Sequence, residues 1–279
     1  MFAGLHFHLP ARLLGGVELL PYAWPLRPDT PALASAECVL EASADRLLPR
    51  RSGQPIEWSW QQPGQRGQSR THDLQIALER LGPRQFRVHA RVPPDVGALT
   101  SLLSAVAPPL LHALGGTVLH AASVELGGRA VAFVGPSGAG KSTACRHVAG
   151  AASFTLDRLA VAPGHAPGGT GWVACPLPGG KGWEEAGERS RHSLIPLAAV
   201  LRVMHSESGP QLGPCPRHRG VAILRQAAFH GARSPAAELE LLETLEGLAA
   251  RVPVGTLGFA LGDELRPAIE RFIEGRTES

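Results

Sequence analysis

Cysteine is scarce and scattered in this 279-residue chain. Cys38, Cys145, Cys175 and Cys215 lie far apart with no C-x-x-C pair, so neither a zinc site nor a disulfide framework is indicated, and a reducing cytoplasm is the simplest setting. A strong charge imbalance is also missing: a net charge of +3 and no dense basic patch argue against a nucleic-acid partner. The opening MFAGLHFHLPARLL lacks the basic start and continuous apolar run of an export signal. The most membrane-like stretch, residues 96–124, is broken by Pro108-Pro109 and Gly115-Gly116 and punctuated by His112 and His120, which predicts buried core and no membrane span. No internal repeat is visible. With 44% hydrophobic and 18% charged residues, the composition is that of a soluble globular protein with ample material for a core.

Lysine is the other rarity, because only Lys141 and Lys181 stand among the 27 basic residues. Both sit in glycine-rich loops, so a chain that uses arginine almost everywhere else has a lysine where a compact phosphate-binding cation is required. Lys181 reads either as a second such cation or as a solvated loop residue. Lys141 belongs to Gly135-Pro136-Ser137-Gly138-Ala139-Gly140-Lys141-Ser142-Thr143, which fits G-x-x-x-x-G-K-[ST], the loop whose backbone N–H groups cradle nucleotide phosphates. The flanks suit it. Residues 129–134 are an apolar run of strand character, and residues 143–149 can wind into a helix. Strand, turn and helix N-terminus together aim unpaired amides and the positive end of a helix dipole at one point. The glycines admit the phosphates, Lys141 is the charge expected on the β- and γ-phosphates of a bound nucleotide, and the Ser142 hydroxyl is the expected Mg²⁺ ligand.

Short strand signals fill residues 1–95, at 5–9, 17–20, 56–60, 74–78 and 85–92, with a polar hairpin tip at 61–69. Trp24, Trp58 and Trp60 read as packing residues. Residues 96–279 then form the second region. Asp95 can cap a helix from Val96 to about Ala107, the proline pair kinks or restarts it, and Gly115-Gly116 ends it. Residues 117–126 and 129–134 flank Gly127-Gly128, a two-residue hairpin turn, so the strand entering the phosphate loop is expected to pair antiparallel with the strand carrying His120. A strand over 153–162 is interrupted at Asp157-Arg158, where an acid can reach the phosphates or simply mark a bend. Residues 163–187, with Lys181, Glu184 and Glu185, predict a hairpin and a loop over the site. Another strand is expected around 197–203, helices at 220–230 and 235–250 with Leu239, Leu242, Leu245 and Leu248 facing the core, a strand at 252–261 and a helix at 263–274.

Taken in order, LHAASVELGGRAVAFVGPSGAGKST, a short helix, TLDRLAV, and later PLAAVLRV and VPVGTLGFAL resemble the HPr kinase family, in particular its shorter HPr-kinase-related branch, from about Leu110 to the C-terminus. The resemblance implies an α/β fold: a P-loop kinase core of the HPr kinase and phosphoenolpyruvate carboxykinase type, with an antiparallel-rich sheet, preceded here by a smaller strand-rich region. It implies Mg²⁺- and ATP-dependent phosphorylation of a serine on a peptide or protein, with a biosynthetic precursor peptide as the leading substrate. Homo-oligomers occur in that family. His120 resembles its active-site histidine, Lys141 and Ser142 its phosphate and Mg²⁺ contacts, and Asp157 one of its acids, as base or metal ligand. Arg158, Arg189 and Arg191 are candidates to steady the transferring phosphoryl group. Two departures stand out: Leu156-Asp157 replaces a usual pair of aspartates, and residues 179–191 share nothing with the family's substrate-loop signature. The rival expectations are a nucleotide-binding regulatory or scaffold protein without kinase chemistry, and a small-molecule kinase.

Overall fold

The computed structural model describes residues 5–8, 34–42, 58–62, 66–71, 74–92, 96–164, 171–177, 194–229 and 235–275. Two compact units emerge, one of residues 1–115 with 230–238 and one of residues 116–229 with 239–279.

In the first unit the described strands are β1 (Leu5–His8), β2 (Ala34–Ala42), β3 (Trp58–Gln62), β4 (Arg66–Thr71), β5 (Leu74–Gly82) and β6 (Gln85–Val92), in the order β1-β2-β6-β5-β4-β3. β6 shows the two-residue period of a half-buried strand: Phe86, Val88, Ala90 and Val92 are buried, while Gln85, His89 and Arg91 are exposed. Helix α1 (Val96–Ala113) packs on β5 and β6. It continues as one helix through Pro108 and Pro109, so of the expected kink or restart the restart does not occur. The two missing N–H groups forfeit hydrogen bonds within the helix, but Leu102, Val106, Leu110 and Leu111 are completely buried, and that burial carries the helix across the gap. Gly115, at φ 72°, ends it. Residues 17–20, Trp24 and Asp95 lie outside the described residues, as do the side chains of Trp58 and Trp60.

The second unit is mixed α/β and its sheet is mostly antiparallel. Among the described residues it contains β7 (Thr117–Leu126), β8 (Arg129–Val134), β9 (Ala152–Thr155), β10 (Arg158–Pro163), β11 (Trp172–Pro176), β12 (Ile195–His205), β13 (Gln211–Pro214), β14 (Ala228–Phe229) and β15 (Val254–Phe259). The main path runs β11-β10-β7-β8-β12-β15-β13, and β11 also pairs with β12. The β7–β8 hairpin closes on Gly127 and Gly128, at φ 59° and 75°, with Leu126 opposite Arg129. Both turn residues thus adopt the positive φ that a two-residue turn of this kind demands. β8 also pairs parallel with β12, as β12 does with β15.

From Ala130 to Val134 β8 is apolar, and both of its faces are covered there. Ala130, Ala132 and Val134 face a core shared with α3 (Arg217–Ala227) and α4 (Pro235–Arg251), and Val131 and Phe133 face a core shared with α2 (Lys141–Arg146) and α5 (Arg266–Glu274). The stripe of α4 keeps the expected Leu245 and Leu248 and departs from expectation at Leu239. Leu241, Leu245, Leu248 and Ala249 are buried, whereas Leu239 is 59% exposed, because a three-residue repeat drifts around a helix of 3.6 residues per turn. The helix expected at 220–230 stops at Ala227, and Ala228 turns extended at ψ 131° to begin β14.

Candidate phosphate-binding site

β8 delivers the chain into residues 135–140 at the sheet's end, and Gly135, Gly138 and Gly140 adopt φ of 149°, 81° and 93°. Side chains rarely tolerate that conformation, which explains glycine at these three places. Nothing lies within 4 Å of where a Cβ on Gly138 would stand, so the outer side of the loop is open. Gly140, by contrast, rests on Phe259 and Val203, which anchor the loop to β15 and β12. Pro136, Ser137 and Gly138 are exposed, and Ala139, Ser142 and Thr143 are partly covered.

Helix α2 follows with only six residues, ending at Arg146 before the expected Ala149. A helix so short needs outside support. The turn between β15 and α5 supplies it: the Leu265 amide donates to the His147 carbonyl at 2.9 Å, the Ala149 amide to Glu264 Oε1 at 3.2 Å, and Arg266 Nη1 to the Ala149 carbonyl at 3.2 Å. His147 Nδ1 lies 2.9 Å from the Asp263 carbonyl, so that nitrogen carries the proton.

Lys141 is 8% exposed and donates to the carbonyls of Gly135 at 2.9 Å and Pro136 at 3.1 Å. Burial lowers its pKa, and the negative charge of Asp157 works in the opposite direction. Asp157 stands at the Leu156-Asp157 break between β9 and β10, where its own carbonyl accepts the Ala121 amide at 3.1 Å. Its carboxylate has neighbours on both oxygens. His120 Nδ1 is 3.2 Å from Oδ1, and Arg158 Nε is 3.5 Å from Oδ2. These are ion-pair distances without hydrogen-bond alignment, and both nitrogens are inaccessible to solvent.

Strand pairing explains the cluster. His120 is directly opposite Arg158 in the β7–β10 pair, on the face of β7 that Ala122 and Val124 turn toward the core containing α2. Phe229 of β14 pairs with Val118, two residues before His120 and on the same face. Its ring meets His120 edge-on at 5.7 Å and 87°, with the Arg158 guanidinium carbon 5.3 Å from its centroid. Sequence reasoning missed Phe229, since LRQAAFH continues a helical pattern. It did reach His120, Lys141, Asp157 and Arg158, which the fold gathers in the second unit. Lys181, Glu184, Glu185, Arg189 and Arg191, and the loop expected over the site, lie outside the described residues.

Among the described residues no group of three or more His, Cys, Asp or Glu is placed to hold a metal ion. Ser142 and Asp157 are compatible with Mg²⁺, which takes few protein ligands and completes its shell with phosphate and water. Among the described residues no helix is long and apolar enough to cross a membrane. No protein-family model matches the chain, and no curated protein is found to match it.

Proposed function

We propose that the second unit is a P-loop kinase core of the HPr kinase and phosphoenolpyruvate carboxykinase type, which transfers the γ-phosphoryl group of ATP to a serine hydroxyl of a peptide or protein. The observation that carries this reading is the meeting of His120 with Asp157 at 3.2 Å, in the same unit as a loop whose Gly135, Gly138 and Gly140 adopt positive φ and whose Lys141 is buried within the field of Asp157. The leading substrate is a biosynthetic precursor peptide in the cytoplasm. The resembled family adds assembly with further copies of the chain. Neither nucleic acid nor membrane has a part.

Phosphoryl transfer asks the protein mainly for positioning and charge neutralisation. The loop amides and Lys141 bind the phosphates, and Ser142 with Asp157 would hold Mg²⁺, which supplies further neutralisation of phosphate charge. The serine oxygen forms a bond to the γ-phosphorus as the bond to the β,γ-bridging oxygen breaks and ADP leaves. The serine proton passes to the Asp157–His120 pair. Arg158 is placed to steady negative charge nearby.

One observation favours the rival reading of a nucleotide-binding scaffold. The single acid at the β9–β10 break is faced by a basic side chain on each oxygen, where the resembled family has a second aspartate. Asp157→Asn separates the two. In a kinase the variant keeps nucleotide binding and loses transfer to serine peptides by at least roughly 10²-fold, the scale of general-base contributions. A wild-type chain that binds ATP yet labels no serine peptide, those encoded beside its gene included, would establish the scaffold instead.

A further inference from the structure

The side chains around Asp157 form a closed circuit. Its two oxygens face His120 and Arg158, and both of those residues lean on one further group, the ring of Phe229. We infer that Phe229 is a positioning residue, which holds the imidazole and the guanidinium against opposite sides of the carboxylate. The functional meaning of this role rests on the kinase reading above; the geometry it asserts does not.

Three facts support it. His120 Nδ1 and Arg158 Nε are buried without an aligned hydrogen-bond acceptor, so their hydrogen bonds do not fix where they stand. An aromatic ring can fix both, because its electron-rich face attracts the guanidinium and its geometry favours an edge-on neighbour. Phe229 is also 37% exposed, more than core packing requires, and it sits in a two-residue strand whose pairing with β7 places it diagonally beside His120. A residue serving the hydrophobic core alone would belong deeper. This one belongs to the site.

The Arg158 Nε–H gives a direct spectroscopic readout, assigned in the full chain by its loss in Arg158→Lys. In wild type this proton exchanges slowly with water, because the nitrogen is shielded. Phe229→Leu keeps apolar bulk but removes the aromatic face, and is expected to speed exchange at least tenfold. Phe229→Tyr restores the face and should return the rate to within about threefold of wild type. Mg-ATP affinity, measured by calorimetry, should stay within about threefold in both variants, since the described ring contacts of Phe229 are with His120 and Arg158 and not with a residue of the phosphate loop. Wild-type exchange in the Leu variant would overturn the inference, and so would faster exchange that Tyr fails to rescue. If Phe229→Leu does not fold, Phe229→Met is read against the same two outcomes. Where the wild-type chain phosphorylates a serine peptide, the Leu variant should also lose kcat with little change in the KM for ATP. An inactive wild type whose Arg158 exchange responds as described sinks the kinase reading and leaves the positioning role intact.

Discussion

Lys141 is a cation kept where a cation is disfavoured. Burial is the larger influence on its pKa and lowers it, with Asp157 in partial opposition. The folded-state value therefore lies below the unfolded one, and the folded chain binds fewer protons between the two. Stability contributed by this group rises as pH climbs through that alkaline window. At neutral pH, where the amine is protonated in both states, its desolvation is a net cost. Lys141→Met removes the charge but keeps the stem, and its ligand-free melting temperature should not fall below that of wild type, although nucleotide binding is lost. A drop of several degrees would mean that the bonds to the Gly135 and Pro136 carbonyls outweigh desolvation.

At the scale of elements, the phosphate-loop helix depends on the turn that enters α5. Glu264 Oε1 accepts the amides of Arg266 at 2.9 Å and Ala149 at 3.2 Å, and these bonds, that from Arg266 first, lower its pKa. The clasp is thus present above the ordinary carboxylate range and is lost as pH falls through the folded-state value. Glu264→Ala should speed amide hydrogen exchange across residues 141–149 and weaken Mg-ATP binding several-fold. Glu264→Gln retains an acceptor oxygen and should restore much of both. Equal exchange in the Ala variant and wild type would show that α2 stands without the clasp. Such long-range support was illegible in the sequence, whereas the β7–β8 hairpin was readable to the residue because Gly127-Gly128 fixes it locally. β2 was missed because Ala34–Ala42 is built from Ala, Ser and Glu, weak strand formers, with few stronger ones among them, and it becomes a strand by pairing parallel with β6. β4, RGQSRT, contains no apolar residue and is a strand only through its neighbours. The candidate site was legible wherever its pattern is local, at residues 135–143, and in outline at His120 and Asp157, which the fold brings within 3.2 Å. Phe229 enters only through tertiary pairing, which no short window contains.

At the scale of the whole molecule, every described residue assigned to the site belongs to the second unit, and the first has its own sheet, with α1 against it. The response to nucleotide should therefore originate in the second unit. Its direct test is thermal unfolding with Mg-ATP, paired with calorimetry, on the wild-type chain and Lys141→Ala. A ligand that prefers the folded state stabilises it by about 2.7 kcal/mol at a hundredfold excess over Kd. For a chain of this size that is roughly 5–10 °C in melting temperature. Wild type is predicted to show such a rise, with measurable heat of binding, and Lys141→Ala to show neither. An unchanged wild-type melting temperature across millimolar Mg-ATP, without heat of binding, would contradict the assignment of residues 135–143 as a phosphate-binding loop.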